Sequence, residues 1–146
     1  MVTHPSILLI EDSPGECELF RLALARTSLD VALYTEHDAE AAFHFLEDRV
    51  HRHPFPSLIL LDLKLGRRNG CDFLNRLRAD ARFAAIPVVV FTTSDDQTDL
   101  ARCYASGANG YVVKPGTFDD LIHCTGDICR YWLTWNRSLF MAETRC

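Results

Sequence analysis

No apolar run in these 146 residues is long enough to cross a bilayer. The longest, such as Leu58–Leu61 and residues 88–91, fall far short of the roughly 20 residues that a spanning helix needs. The start, Met1-Val2-Thr3-His4-Pro5-Ser6, has no charged lead and apolar core of a secretion signal, so a cytoplasmic protein is expected. No Lys/Arg-rich tract is present and the formal net charge is −5, which argues against nucleic-acid binding and for a protein partner. The six cysteines (Cys17, Cys71, Cys103, Cys124, Cys129 and Cys146) contain no C-x-x-C and no zinc-site spacing with histidine, so free thiols are expected. His51 and His53 lack a third ligand and read as part of a solvated loop. There is no internal repeat or low-complexity segment. The length is one domain's worth, able to bury roughly 70% of its unfolded surface without a disulfide or metal staple.

What is present is an apolar run with a single acid near its end, Leu58-Ile59-Leu60-Leu61-Asp62-Leu63. Such a run suits a central strand of a parallel sheet covered on both faces, and these sheets place ligands at the carboxyl ends of their strands. Capping of a following turn is the plain alternative for Asp62. A similar run, Ile7-Leu8-Leu9-Ile10, ends abruptly in Glu11-Asp12. Ser13-Pro14-Gly15-Glu16 then reads as a helix start with a capping box, and Leu19, Phe20, Ala23 and Leu24 as that helix's buried stripe. Residues 31–34 form a second strand of mixed polarity, nearer an edge; Asp38 caps a second helix with Ala41, Ala42, Phe45 and Leu46 inward. The prolines 54 and 56 make residues 48–57 a loop.

After Asp62 comes a basic, glycine-containing loop, residues 64–70, and a third helix that buries Phe73, Leu74 and Leu77. Residues 86–93 are a fourth strand ending in Thr92-Thr93, and Ser94-Asp95-Asp96-Gln97 a capping box for a fourth helix. Gly107-Ala108-Asn109-Gly110 is a turn, Tyr111-Val112-Val113 a fifth strand, Lys114-Pro115 its end, and Thr117 caps a last helix rich in apolar groups. Five strands alternating with five helices predict an α/β fold, a doubly wound five-stranded parallel sheet. Right-handed crossovers gather Glu11-Asp12, Asp62, Thr92 and Lys114 at one edge of it. Carboxylates so close repel, and a divalent cation such as Mg²⁺ resolves the conflict. An aspartate beside such an ion is a plausible phosphoryl acceptor.

Taken together, Glu11-Asp12, Asp62, Asn69-Gly70, Thr92 and Gly110-Tyr-Val-Val-Lys-Pro115 resemble a response-regulator receiver domain, over about residues 6–135. The resemblance implies strand order 2-1-3-4-5 and phosphoryl transfer to Asp62 from the phosphohistidine of a histidine kinase. It implies Mg²⁺ held by Asp12, Asp62 and the backbone carbonyl of Lys64, with Glu11 acting through a metal-bound water. Lys114 would contact the phosphoryl group, Thr92 would swing toward it, and Tyr111 would turn inward behind Thr92. Such a protein is a signalling phosphoacceptor rather than an enzyme.

Gly66, where many receivers have proline, and the long Pro54–Ser57 loop, together with Lys64-Leu65, resemble small stand-alone receivers paired with phytochrome-type kinases. Residues 136–146 are too short for an output domain, so the expectation is a single domain acting through the surface of the fourth helix, fifth strand and last helix. The surplus apolar groups Tyr131, Leu133 and Trp135 point to a homodimer there. A degenerate receiver acting only by binding remains an alternative. A haloacid-dehalogenase-like phosphatase is disfavoured because Lys64 stands where its second Asp would be. A flavodoxin-like flavin carrier is disfavoured because Glu11-Asp12 would repel phosphate.

Overall fold

The computed structural model describes residues 4–52 and 54–139; His53, Phe140 and Cys146 lie outside them. In chain order the elements are β1 (Ser6–Ile10), α1 (Pro14–Arg26), β2 (Ala32–Glu36), α2 (Ala39–Arg49), β3 (Leu58–Leu61), β4 (Lys64–Leu65), β5 (Arg68–Asn69), α3 (Gly70–Ala79), β6 (Val88–Thr92), α4 (Gln97–Ala105), β7 (Gly110–Val113) and α5 (Phe118–Arg130). A π-helical turn (Tyr131–Trp135) continues α5.

Five strands form one parallel sheet in the order β2-β1-β3-β6-β7. With β6 and β7 counted as the fourth and fifth strands, this is the predicted order 2-1-3-4-5. The apolar runs of β1, β3 and β6 are buried along their whole length, and the mixed β2 lies at an edge.

Side chains alternate across the sheet. Leu8, Ile10, Ile59, Leu61, Val88 and Val90 pack with Phe43 and Leu46 of α2, Phe73, Leu74 and Leu77 of α3, and Cys103 of α4. Ile7, Leu9, Leu58, Leu60, Val89 and Phe91 pack with Phe20 and Leu24 of α1 and Ile128 and Cys129 of α5. Each fully buried aliphatic contributes about 1.5–3 kcal/mol, which is why no staple is needed. The cysteines among the described residues are free thiols.

Helix starts follow the predicted caps at three places. Ser13 Oγ accepts from Glu16 N (3.3 Å), Asp38 Oδ1 from Ala41 N (2.7 Å) and Thr117 Oγ1 from Asp120 N (3.1 Å). Elsewhere the structure differs. Leu19 is exposed, because Cys17 takes the inner position of α1. In α2 Phe43 is the buried aromatic, edge-on to Phe73 at 5.1 Å, while Phe45 packs on Tyr34 at the sheet edge. Asp96, not Ser94, caps α4, with its Oδ1 accepting from Thr98 N at 2.7 Å. The predicted loop begins later, since α2 runs to Arg49, and the basic loop after Asp62 folds as the β4-β5 hairpin.

Candidate functional site: an acidic cluster and one lysine at the sheet rim

The ladder of the sheet continues one residue past the strands and thereby fixes the functional groups. Glu11 N donates to Glu36 O (3.0 Å), Asp62 N to Ile10 O (3.0 Å) and Lys114 N to Thr92 O (2.7 Å). Glu11 and Asp62 stand where a strand buried along its length reaches the rim, and Lys114 where the half-buried edge strand β7 does. Gly70 packs against this main chain so tightly that a Cβ there would lie 2.5 Å from Asp62 O, which accounts for the Asn69-Gly70 pair.

Carboxylate oxygens of Glu11, Asp12 and Asp62 lie within 4.8 Å of one another. Glu11 is 2% exposed and Asp62 8%, whereas Asp12 faces solvent. Burial pushes the Glu11 carboxyl up to about 8; Asp62 and Asp12 push the same way and Lys114 opposes them. Glu11 Oε2 is buried without a hydrogen-bond partner, the state expected of an oxygen placed for a ligand. Three carboxylates, one of them with an orphaned buried oxygen, fit a small divalent cation.

Lys114 Nζ lies 3.5 Å from Glu11 Oε1, 3.6 Å from Asp62 Oδ2 and 3.6 Å from Glu16 Oε2. Asp12 Oδ2 accepts from Gly66 N at 2.9 Å, a bond that proline could not make. Gly66 has φ +66°, a left-handed conformation suited to glycine at the tip of the β4-β5 hairpin. The Glu11 carbonyl accepts from His37 Nδ1 (3.0 Å) and from Cys17 Sγ (3.6 Å), which hold the β1-α1 connection. Lys64 begins β4, with its N–H 3.5 Å from Asp62 Oδ1.

Thr92 is buried at the end of β6, and its Oγ1 accepts from Ser94 N at 3.3 Å. The half-buried Tyr111 donates its hydroxyl to Ser94 O at 2.8 Å, so both residues grip the β6-α4 loop. Ser94 Oγ donates to Asp99 Oδ2 at 2.6 Å, which explains why Ser94 is not the cap of α4. Tyr131 is 53% and Trp135 75% exposed, while Leu133 is half-buried against the α1-α5 side of the core. Tyr104 of α4 and Val113 of β7 are exposed as well.

The rim brings Glu11, Asp12, Asp62 and Lys114 together, as the sequence implied. Sequence reasoning missed Glu16, read only as part of a capping box, and His37, for which no signal stood out. It noticed Gly66 as a departure from proline without finding its bond to Asp12. Chemically, the arrangement offers a strand-end carboxylate, a cation-binding acidic cluster, an ammonium group and a hydroxyl at one rim, suited to accepting and holding an anionic phosphoryl group.

Residues 7–125 match the response regulator receiver domain family. The chain is 38% identical over 135 residues to a probable methanogenesis regulatory protein, FilR2, of Methanothrix harundinacea, covering 90% of this chain and 86% of that one. It is 34% identical over 129 residues to response regulator Rcp1 of a Synechocystis species, covering 87% and 88%. Among solved structures, the phosphorylated cyanobacterial phytochrome response regulator RcpA superposes with a TM-score of 0.84 at 29% identity, covering 94% of this chain and 99% of that one. The Mn(2+)-bound form of Rcp1 gives 0.79 at 32%, covering 92% and 98%. With an acidic rim on a parallel sheet and a family match over most of its length, the chain belongs to the response regulator receiver domain family.

Proposed function

We propose that this protein is a phosphoacceptor of two-component signalling, with Asp62 receiving a phosphoryl group from the phosphohistidine of a histidine kinase. The observation that carries this reading is the Lys114 ammonium set 3.5–3.6 Å from Glu11 and Asp62, both buried, beside an oxygen of Glu11 with no partner. In the transfer, an Asp62 carboxylate oxygen attacks phosphorus and the N–P bond breaks. The electron pair of that bond returns to the imidazole nitrogen, and the ring, which carries a proton on its other nitrogen, leaves as a neutral histidine beside the aspartyl phosphate. Glu11, Asp12, Asp62 and the backbone carbonyl of Lys64 would hold Mg²⁺, with Glu11 acting through a water. Bound there, the ion supplies neutralisation of the charge that gathers on carboxylates and phosphoryl oxygens. Lys114 and Thr92 bind other phosphoryl oxygens, and Tyr111 follows Thr92 through their shared grip on the β6-α4 loop.

The readout runs through the α4-β7-α5 surface to a homodimer or a protein target. Exposed Tyr104, Val113, Tyr131 and Trp135, one or more from each part of that surface, support an apolar contact, with half-buried Leu133 at its margin. The receiver fold of residues 7–125 is the acting unit, and no helix among the described residues is long and apolar enough to cross a bilayer. The similarity to RcpA supports a phytochrome-type kinase as the donor.

A phytochrome-type histidine kinase carrying labelled phosphohistidine is expected to pass its label to the wild-type chain in Mg²⁺ and not to Asp62→Asn. Label on Asp62→Asn, or transfer without a divalent cation, would contradict the assignment. Sedimentation of wild type and Trp135→Ser, with and without phosphorylation, tests the dimer; a monomer in every condition removes it.

A further inference from the structure

The capping-box reading of Glu16 predicts that its carboxylate folds back on the N–H of Ser13. Its own N–H does bond Ser13 Oγ, but its carboxylate lies toward the rim, with Oε2 3.6 Å from Lys114 Nζ. Glu16 is a carboxylate that faces Lys114 from outside the cluster of Glu11, Asp12 and Asp62, and it is carried by a different element, α1. Glu16 and Lys114 line one cleft of about 200 Å³, together with Glu11, Phe91 and Pro115.

The three distances from Lys114 Nζ, at 3.5, 3.6 and 3.6 Å, all exceed the roughly 2.8 Å of a direct charge-assisted hydrogen bond. The ammonium is therefore shared among three acids rather than committed to one. A shared cation moves when one partner is removed. The Lys114 side chain is only 11% exposed, and of its three acids Glu16 is the solvent-side partner while Glu11 and Asp62 are the buried ones.

We propose that Glu16 is a positioning residue for Lys114: it draws the ammonium toward α1 and competes for it with the phosphoryl group that Asp62 receives. The inference rests on the phosphoacceptor reading. Loss of the Glu16 charge lets Lys114 settle inward. An inward ammonium favours an anionic phosphodonor and disfavours a divalent cation among the same carboxylates. Because the Glu16 side chain is 46% exposed, the effect has the size of a solvent-screened ion pair and weakens as salt rises.

The test is a double-mutant cycle on the full chain with two readouts. One is the initial rate of phosphorylation by acetyl phosphate at saturating Mg²⁺, followed by intact mass; the other is Mg²⁺ binding without phosphodonor, followed by calorimetry. Glu16→Gln is expected to raise the rate about two- to fivefold and to weaken Mg²⁺ binding by a similar factor. Glu16→Asp, which keeps the charge on a shorter arm, should fall between Glu16→Gln and wild type. Glu18→Gln removes the same charge from the same helix at an acid paired with Arg21, and should change neither readout. In a Lys114→Gln background the effect of Glu16→Gln should vanish. An unchanged Glu16→Gln overturns the proposal, and so does an equal effect in the Lys114→Gln background, which would make Glu16 a through-space charge. Wild-type protein that takes no phosphoryl group would refute the phosphoacceptor reading, and the Mg²⁺ cycle would still decide the role of Glu16.

Discussion

The body of the sheet and its carboxyl rim are one residue apart and differ in nearly every respect. Ile10, Leu61 and Phe91 are buried among aliphatic and aromatic neighbours; the next residues, Glu11, Asp62 and Thr92, are also buried but polar. In the body the ladder and the packing leave little unsatisfied. At the rim three carboxylates crowd one ammonium, and an oxygen of Glu11 has no partner. The contrast separates two tasks along each strand. The body holds the backbone, and the rim keeps an electrostatic tension that a proton on Glu11 relieves and a divalent cation could relieve in its place.

The largest effect should come from damaging the body. Leu60→Ala removes a fully buried side chain between β1 and β6 and should destabilise the fold by about 2–5 kcal/mol in denaturant titration. A loss below about 1 kcal/mol would mean that the body carries less of the stability than its packing implies.

Damage at the rim should act in the other direction. With its carboxyl pushed up to about 8 by burial, Glu11 retains a proton in the folded metal-free protein between about pH 4.5 and 8, where the unfolded chain has lost it. The folded state then binds more protons than the unfolded one, so Glu11's contribution to stability is full below pH 4.5 and is lost as pH rises to about 8. Thermal melts of the metal-free protein should show this decline. Glu11→Gln should flatten it, and Mg²⁺ should offset it most at high pH, with protons released on binding. A wild-type slope equal to that of Glu11→Gln would rule out a buried, proton-holding Glu11.

The smallest effect should lie at the hinge between rim and loop. Gly66→Ala meets no neighbour within 4 Å but must adopt φ +66°, at a cost of about 1 kcal/mol. Its amide holds Asp12 Oδ2, so Mg²⁺ binding should weaken with stability; weakening of one without the other would uncouple the hairpin from the acidic cluster.

The same contrast governs what could be read from the sequence. Strands β1, β3 and β6 are covered on both faces, so they read as continuous apolar runs, and the polar residue that ends each run marks the rim. The edge strand β2 was legible from its mixed polarity. Helix α2 was harder, because apolar residues at 41, 42, 43, 45 and 46 leave several faces equally plausible. Contacts from Phe73 and Phe83 select Phe43, and contact from Tyr34 takes Phe45. The two-residue strands of the hairpin are too short to carry a period. Glu16 was hidden because one sequence pattern serves both a capping box and a carboxylate aimed at Lys114, and only the tertiary position of β7's end distinguishes them.

The most direct measurement of the central claim is Mg²⁺-dependent modification by acetyl phosphate, read by intact mass for wild type and Asp62→Asn. A gain of one phosphoryl group that requires the divalent cation and disappears in Asp62→Asn is the predicted result. No adduct on the wild type, or an adduct indifferent to Asp62, would contradict it.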